Sequence, residues 1–234
     1  MKRLILLFFV TFLCLSSLCG CSQIEPPHKV KAVIVPHDVV ALKLAEDVIS
    51  SLVDSNPKTI VLVGPNHTAK GPKITSTHDG SKLSNLIGAN DELIKNEHSI
   101  GNLMPLIERH LPNAKVVPVV FQKGASFAAA KKVMDVVFSE PDAIIIASID
   151  FSHGLSAGDE RVNRAKMEEY IKGFDSSSIM GLDETYLDAP VILATMMEVL
   201  KECRIDIIAS TNATEVLGKE VPDATGYLTM VFYE

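Results

Sequence analysis

Three histidines and a carboxylate follow apolar runs in this chain, and together they have the composition of a metal site. His37 closes Val-Ile-Val-Pro36-His37, His67 closes Val-Gly64-Pro65-Asn66-His67, and Asp150 and His153 follow Ile-Ile-Ile-Ala-Ser148-Ile149. Neutral imidazole is the commonest protein ligand for Zn, Fe, Cu and Ni, and two imidazoles with one carboxylate leave coordination positions open. A single histidine past a strand is most often a core or loop residue satisfied by hydrogen bonds. Recurrence at three strand ends favours a shared site. The spacing alone is not a signature: there is no His-Glu-x-x-His, no Cys-x-x-Cys, no Gly-rich phosphate loop and no Gly-x-Ser-x-Gly elbow. Ser152 beside His153 is no sign of a Ser–His hydrolase, since adjacent residues rarely meet in catalytic geometry.

The elements that must position these residues alternate. Strand patterns cover 31–36, 59–64, 115–120, 143–149, 205–211 and 227–233, rich in Val and Ile and mostly continuous, as in strands buried on both faces. Helical patterns cover 39–53, 100–110, 127–138, 159–173 and 189–202; Val40, Leu44, Val48 and Leu52 make one apolar stripe. The alternation predicts a single three-layer α/β domain over 31–234, with a mostly parallel central sheet and helices on both faces. Ligands of such sheets bind beyond the carboxyl ends of the strands. A right-handed crossover puts the first two strand ends on one edge, so His37 and His67 converge.

The N-terminus reads as an address. Lys2 and Arg3 precede the apolar run 4–15, too short for a comfortable membrane span but suited to a secretory signal. Leu18-Cys19-Gly20-Cys21 resembles the bacterial lipoprotein cleavage box, which implies a signal over 1–20, lipid on Cys21, and a protein held outside the cytoplasm on the cell or outer membrane. Residues 21–30, including His28, read as a polar tether. Cleavage removes two of 22 cations and none of 29 anions, taking the net charge from −7 to −9. With no basic block after residue 3, nucleic acid is excluded as a partner. Cys203 is then the last unmodified thiol, placed on an apolar helix where it reads as a packed small residue. His78 and His110 read as surface residues.

The segments Gly64-Pro65-Asn66-His67-Thr68, Glu97-His98-Ser99-Ile100, Ser148-Ile149-Asp150-Phe151-Ser152-His153 and Thr225-Gly226-Tyr227 occur in the order found in the MEMO family (AmmeMemoRadiSam system protein B), which this chain resembles over 32–234. The resemblance implies a fold like that of class III extradiol dioxygenases and a non-haem metal pocket. It implies His37 and His67 as metal ligands, Asp150 and His153 as pocket residues with His153 transferring a proton, and Asn66, Glu97 and His98 bordering the pocket. The family's third ligand, a Cys, falls four residues before a Pro, here Pro190. Ungapped matching puts Tyr186 there; a small gap puts Asp188 there. Asp188 reads first, however, as an N-cap before Ala189-Pro190, where a carboxylate accepts from free amides. The family's Pro-His-Ala-Gly is Pro36-His37-Asp38-Val39 here, making Asp38 an alternative ligand. A carboxylate in place of the thiolate favours Fe or Zn over Cu(I).

Several functions use these residues. The first is a metal-dependent, dioxygenase-like oxidoreductase acting on a small molecule; the others are a metal- or small-ligand-binding lipoprotein without turnover, a Zn-assisted hydrolase, and a degenerate scaffold. An exported protein shares no compartment with an intracellular radical-SAM enzyme, so no direct complex with one is expected.

Overall fold

The computed structural model describes residues 29–79, 82–140 and 142–234. The signal, Cys21 and His28 lie outside these residues. The strands are β1 (Val30–Val35), β2 (Thr59–Asn66), β3 (Ile74–Ser76), β4 (Lys115–Gln122), β5 (Ala143–Ser148), β6 (Phe151–Leu155), β7 (Arg204–Asn212) and β8 (Ala224–Tyr233). Six helices matter here: α1 (Leu42–Ser51), α2 (His98–Gly101), α3 (Met104–His110), α4 (Phe127–Phe138), α5 (Ala157–Lys172) and α6 (Pro190–Val199). No helix among the described residues is long and apolar enough to cross a membrane.

All the strands join one eight-stranded sheet. Its centre, in the order β4-β2-β5-β1, is parallel throughout. The antiparallel strands flank it: β3 on β4, and β8 on β1. Strand β8 carries β7 along one edge, and on the other carries β1 at residues 230–233 and β6 at 224–226. The strand patterns at 205–211 and 227–233 thus form strands, but they run antiparallel. The short β3 and β6 have no apolar pattern in the sequence. Residue Val30 already belongs to β1, one position earlier than expected.

The parallel strands are buried on both faces, and their side chains alternate between two cores. Ala32, Ile34, Val61 and Val63 pack with α4 and α6, together with Met167 and Ile171 of α5. Val33, Val35, Ile60 and Leu62 pack with α1 and α3. This alternation makes three layers and explains why the strand sequences read as unbroken apolar runs. Ser126 and Ser156 cap α4 and α5, each accepting from the amide three residues on, Ala129 and Asp159.

Because β1, β2, β4 and β5 are parallel, the residues after each reach the same edge: His37, His67, Lys123 and Asp150. This edge is rigid to the extent that the double core is well packed. Ile146, fully buried in the middle of β5, tests that. Ile146→Ala should lose about 2–5 kcal/mol in urea unfolding. A loss below 1 kcal/mol would show that the β5 core is not close-packed as described.

Candidate metal centre

At that edge His37, His67, His98, Asp150, His153 and Asp188 line one cavity of about 640 Å³. The ligating atoms of His37, Asp150 and Asp188 lie within 4.8 Å of one another, as do those of His37, His67 and His98. The His37 ring centroid is 5.2 Å from that of His67, and the His67 and His98 rings stack at 4.1 Å.

Each imidazole that the sequence singled out as a ligand is fixed from behind. The Ser148 hydroxyl lies 2.6 Å from the Ser99 carbonyl and 3.0 Å from His37 Nδ1. A hydroxyl has one proton, and a carbonyl can only accept it. Ser148 therefore donates to Ser99 and accepts from His37 Nδ1–H, which leaves the His37 Nε2 lone pair free. On His67, Nδ1 lies 2.8 Å from Glu97 Oε1, and the His67 amide donates to Glu97 Oε2 at 2.9 Å. The Ser99 amide also donates to Glu97, which caps α2. A carboxylate accepts, so Nδ1 of His67 is the donor and its Nε2 is the nitrogen turned to the cavity. Both Nε2 atoms face Asp188 Oδ2, at 3.4 Å from His37 and 3.8 Å from His67.

Asp188 arrives through a short antiparallel pairing. The Ser152 amide donates to the Tyr186 carbonyl, the Asp188 amide donates to the Asp150 carbonyl, and Phe151 and Leu187 form a β-bridge. The expected cap is not formed. Ala189 is the N-cap of α6 and has no side-chain bond there, because the Asp188 carboxylate turns inward and accepts from the Asp150 amide at 3.3 Å. Its other oxygen, Oδ1, is buried with no hydrogen-bond partner among the described residues. A buried carboxylate oxygen without a donor is costly unless a cation completes it. Tyr186 does not line the cavity: its ring packs against the core, with Lys166 Nζ 5.3 Å from the ring centre. Asp38 lines the cavity, but its carboxylate is engaged by the Val40 amide and the Tyr227 hydroxyl, so it is not a free ligand.

Burial sets the charge states. It lowers the His37 pKa to about 4, so His37 is neutral at neutral pH. Burial also opposes charge on His67, but the hydrogen bonds it donates to Asp188 and Glu97 outweigh it and raise the pKa to about 9. Glu97 is penalised by burial, yet its bonds from His67 and Ser99 hold it at about 2. For Asp150, burial and then the charge of Asp188 push the carboxyl well above the usual range, although the His37 and Asp38 amides that donate to it pull the other way. His153 lines the cavity wall with no hydrogen bond among the described residues. Asn66 also lines the cavity, and its side chain braces the next turn through Lys70 and Thr68.

Sequence reasoning missed Ser148 and Asn102 as supports. Asn102 donates to the His37 carbonyl at 3.0 Å. Ser148 lies two residues before Asp150, and a polar residue inside a buried apolar strand was the available signal. His78 and His110 are peripheral, paired with Asp91 and Glu46.

A family model described as Memo-like protein matches residues 81–216, more than half of the chain. The chain belongs to the Memo-like family. It is also similar to a "MEMO1 family protein" of Aquifex aeolicus (strain VF5), 26% identical over 228 residues, spanning 86% of this chain and 79% of that protein. Within this Memo-like chain the matched stretch holds Glu97, His98, Asp150, His153 and Asp188; His37 and His67 precede it.

Gly64 is the tightest point of the support. A Cβ there would lie 2.6 Å from Ser99 Oγ and 3.0 Å from Ser99 Cβ. Gly64→Ala should cost about 1–3 kcal/mol in chemical denaturation. Gly101→Ala, where nothing lies within 4 Å, should be neutral or stabilising by up to about 1 kcal/mol. Equal effects of the two would contradict the close packing of Gly64 on Ser99.

Proposed function

We propose that this Memo-like protein is an exported lipoprotein whose cavity holds a non-haem metal through His37, His67 and Asp188 and oxidises a small molecule there. The observation that carries the reading is the convergence of His37 Nε2 and His67 Nε2, each ring held from behind at Nδ1, on a buried carboxylate whose Oδ1 has no partner among the described residues; a bound cation would take the place of the proton that His67 Nε2 directs at Asp188. Two imidazoles and a carboxylate form a set suited to Fe or Zn. Bound iron would supply open coordination positions and pass electrons from the bound molecule to dioxygen, the oxidant.

The chain's own residues do the rest. Ser148 and Glu97 hold the two ligand rings in the tautomer that presents Nε2. Burial and the nearby Asp188 charge favour the protonated form of Asp150, whose Oδ2 lies 3.4 Å from His37 Nε2. His153, on the cavity wall, gives or takes a proton from the bound molecule. The volume suits a small molecule. Export and the anchor are supported by Lys2, Arg3, the apolar run 4–15 and the box ending at Cys21. Export also argues against a direct radical-SAM partner; co-purification from intact cells would contradict this.

Protein purified without added metal should contain Fe or Zn by elemental analysis, and His37→Ala and His67→Ala should lose it. Ser148→Ala should weaken metal affinity about 10–100-fold without removing a ligand. Metal content unchanged in both histidine variants would overturn the site.

After anaerobic loading with Fe(II), catechol-type substrates should drive oxygen uptake that both histidine variants abolish. Zinc content with metal-dependent ester or phosphate cleavage and no oxygen uptake would overturn oxidation in favour of hydrolysis.

A further inference from the structure

We infer that the anchored protein holds its cavity away from the bilayer, with the opposite end of the sheet toward the headgroups, so that the molecule it takes is a water-soluble solute and not a membrane lipid. This rests on lipidation at Cys21 as proposed above.

The argument begins with strand polarity. His37, His67 and Asp150 follow the carboxyl ends of β1, β2 and β5, whereas the chain enters the domain at the amino end of β1. Lys29, immediately before β1, shares a basal hollow with Asn56, Pro57 and Asp142. The backbone joins these segments: the Lys58 amide donates to the Asp142 carbonyl, and the Lys115 amide to the Lys58 carbonyl. The six residues of β1 put about 20 Å of sheet between this base and His37.

Covalent geometry then limits the motion. Seven residues separate Cys21 from Lys29, and a chain of that length reaches at most about 29 Å when fully extended. A compact domain of about 200 residues has a radius of gyration near 17 Å, so a chain leaving one pole must run about 55 Å around the body to reach a plane that touches the other. The tether is about half of what is needed to bring the cavity mouth down to the lipid.

The test uses the full lipidated chain in vesicles of phosphatidylethanolamine and phosphatidylglycerol that contain a headgroup spin-labelled quencher lipid. In a Cys203→Ser background, one fluorophore is attached through Lys58→Cys at the base. A second protein carries it through Lys70→Cys, an exposed position at the cavity rim whose carbonyl accepts from Asn66. Both proteins should float with the vesicles and retain the same melting temperature. The basal label should be quenched at least threefold more than the rim label. Equal or stronger quenching at the rim would overturn the inference, as would no quenching at either position or failure to float. Metal content measured on the same samples reads the metal proposal separately, since quenching needs no bound metal.

Discussion

The geometry at the cavity depends on one hydroxyl proton. Ser148 lies between the Ser99 carbonyl and His37 Nδ1, and because its proton goes to the carbonyl, the imidazole must donate to it. That fixes which nitrogen of His37 faces the cavity. Glu97 does the same for His67 from a different element, using both carboxylate oxygens and so holding ring and backbone together. The two supports meet at Ser99, whose amide reaches Glu97, whose carbonyl takes the Ser148 proton and whose hydroxyl donates to the Pro65 carbonyl. Ser99 is fully buried, and Gly64 is the residue that lets it come so close to β2. The tautomers are thus set by packing well before any ligand is considered.

Much of this was legible in the sequence. Continuous Val- and Ile-rich runs identified the parallel strands, because strands covered on both faces have no polar side to interrupt them. Parallel strands with helical crossovers bring their carboxyl ends to one edge, and that sufficed to gather His37, His67 and Asp150. The order of the Gly-Pro-Asn-His, Glu-His, Asp-Phe-Ser-His and Thr-Gly-Tyr segments pointed to the Memo-like family, to which the chain belongs. The antiparallel direction of β7 and β8 was hidden, since a buried strand reads alike in either direction. β6 was hidden because Ser-His-Gly at its centre makes no strand pattern; Ser152 and Gly154 take positive φ there, and the register against β8 shifts between Phe151 and Leu155.

Asp188 was the harder case. A carboxylate before Ala-Pro at a helix start has an ordinary local role, and local reasoning favours it. A long-range contact decides otherwise: the pairing of 150–152 with 186–188 turns the side chain toward two imidazoles from other loops. The same holds for Asp38, which looked available for a metal until Tyr227, at the far end of the chain, was found to donate to it. Both outcomes come from partners more than thirty residues away.

Strand β8 has a consequence for how the molecule is made. It holds β1 and β6 on one edge and β7 on the other, yet it is the latest strand in the sequence, while β1 is the earliest. The sheet therefore closes only when the two extremes of the chain meet, a high-contact-order topology that folds slowly. The parallel centre β4-β2-β5-β1 can pair without β8, and the last ten-residue strand then joins three neighbours at once, β1, β6 and β7.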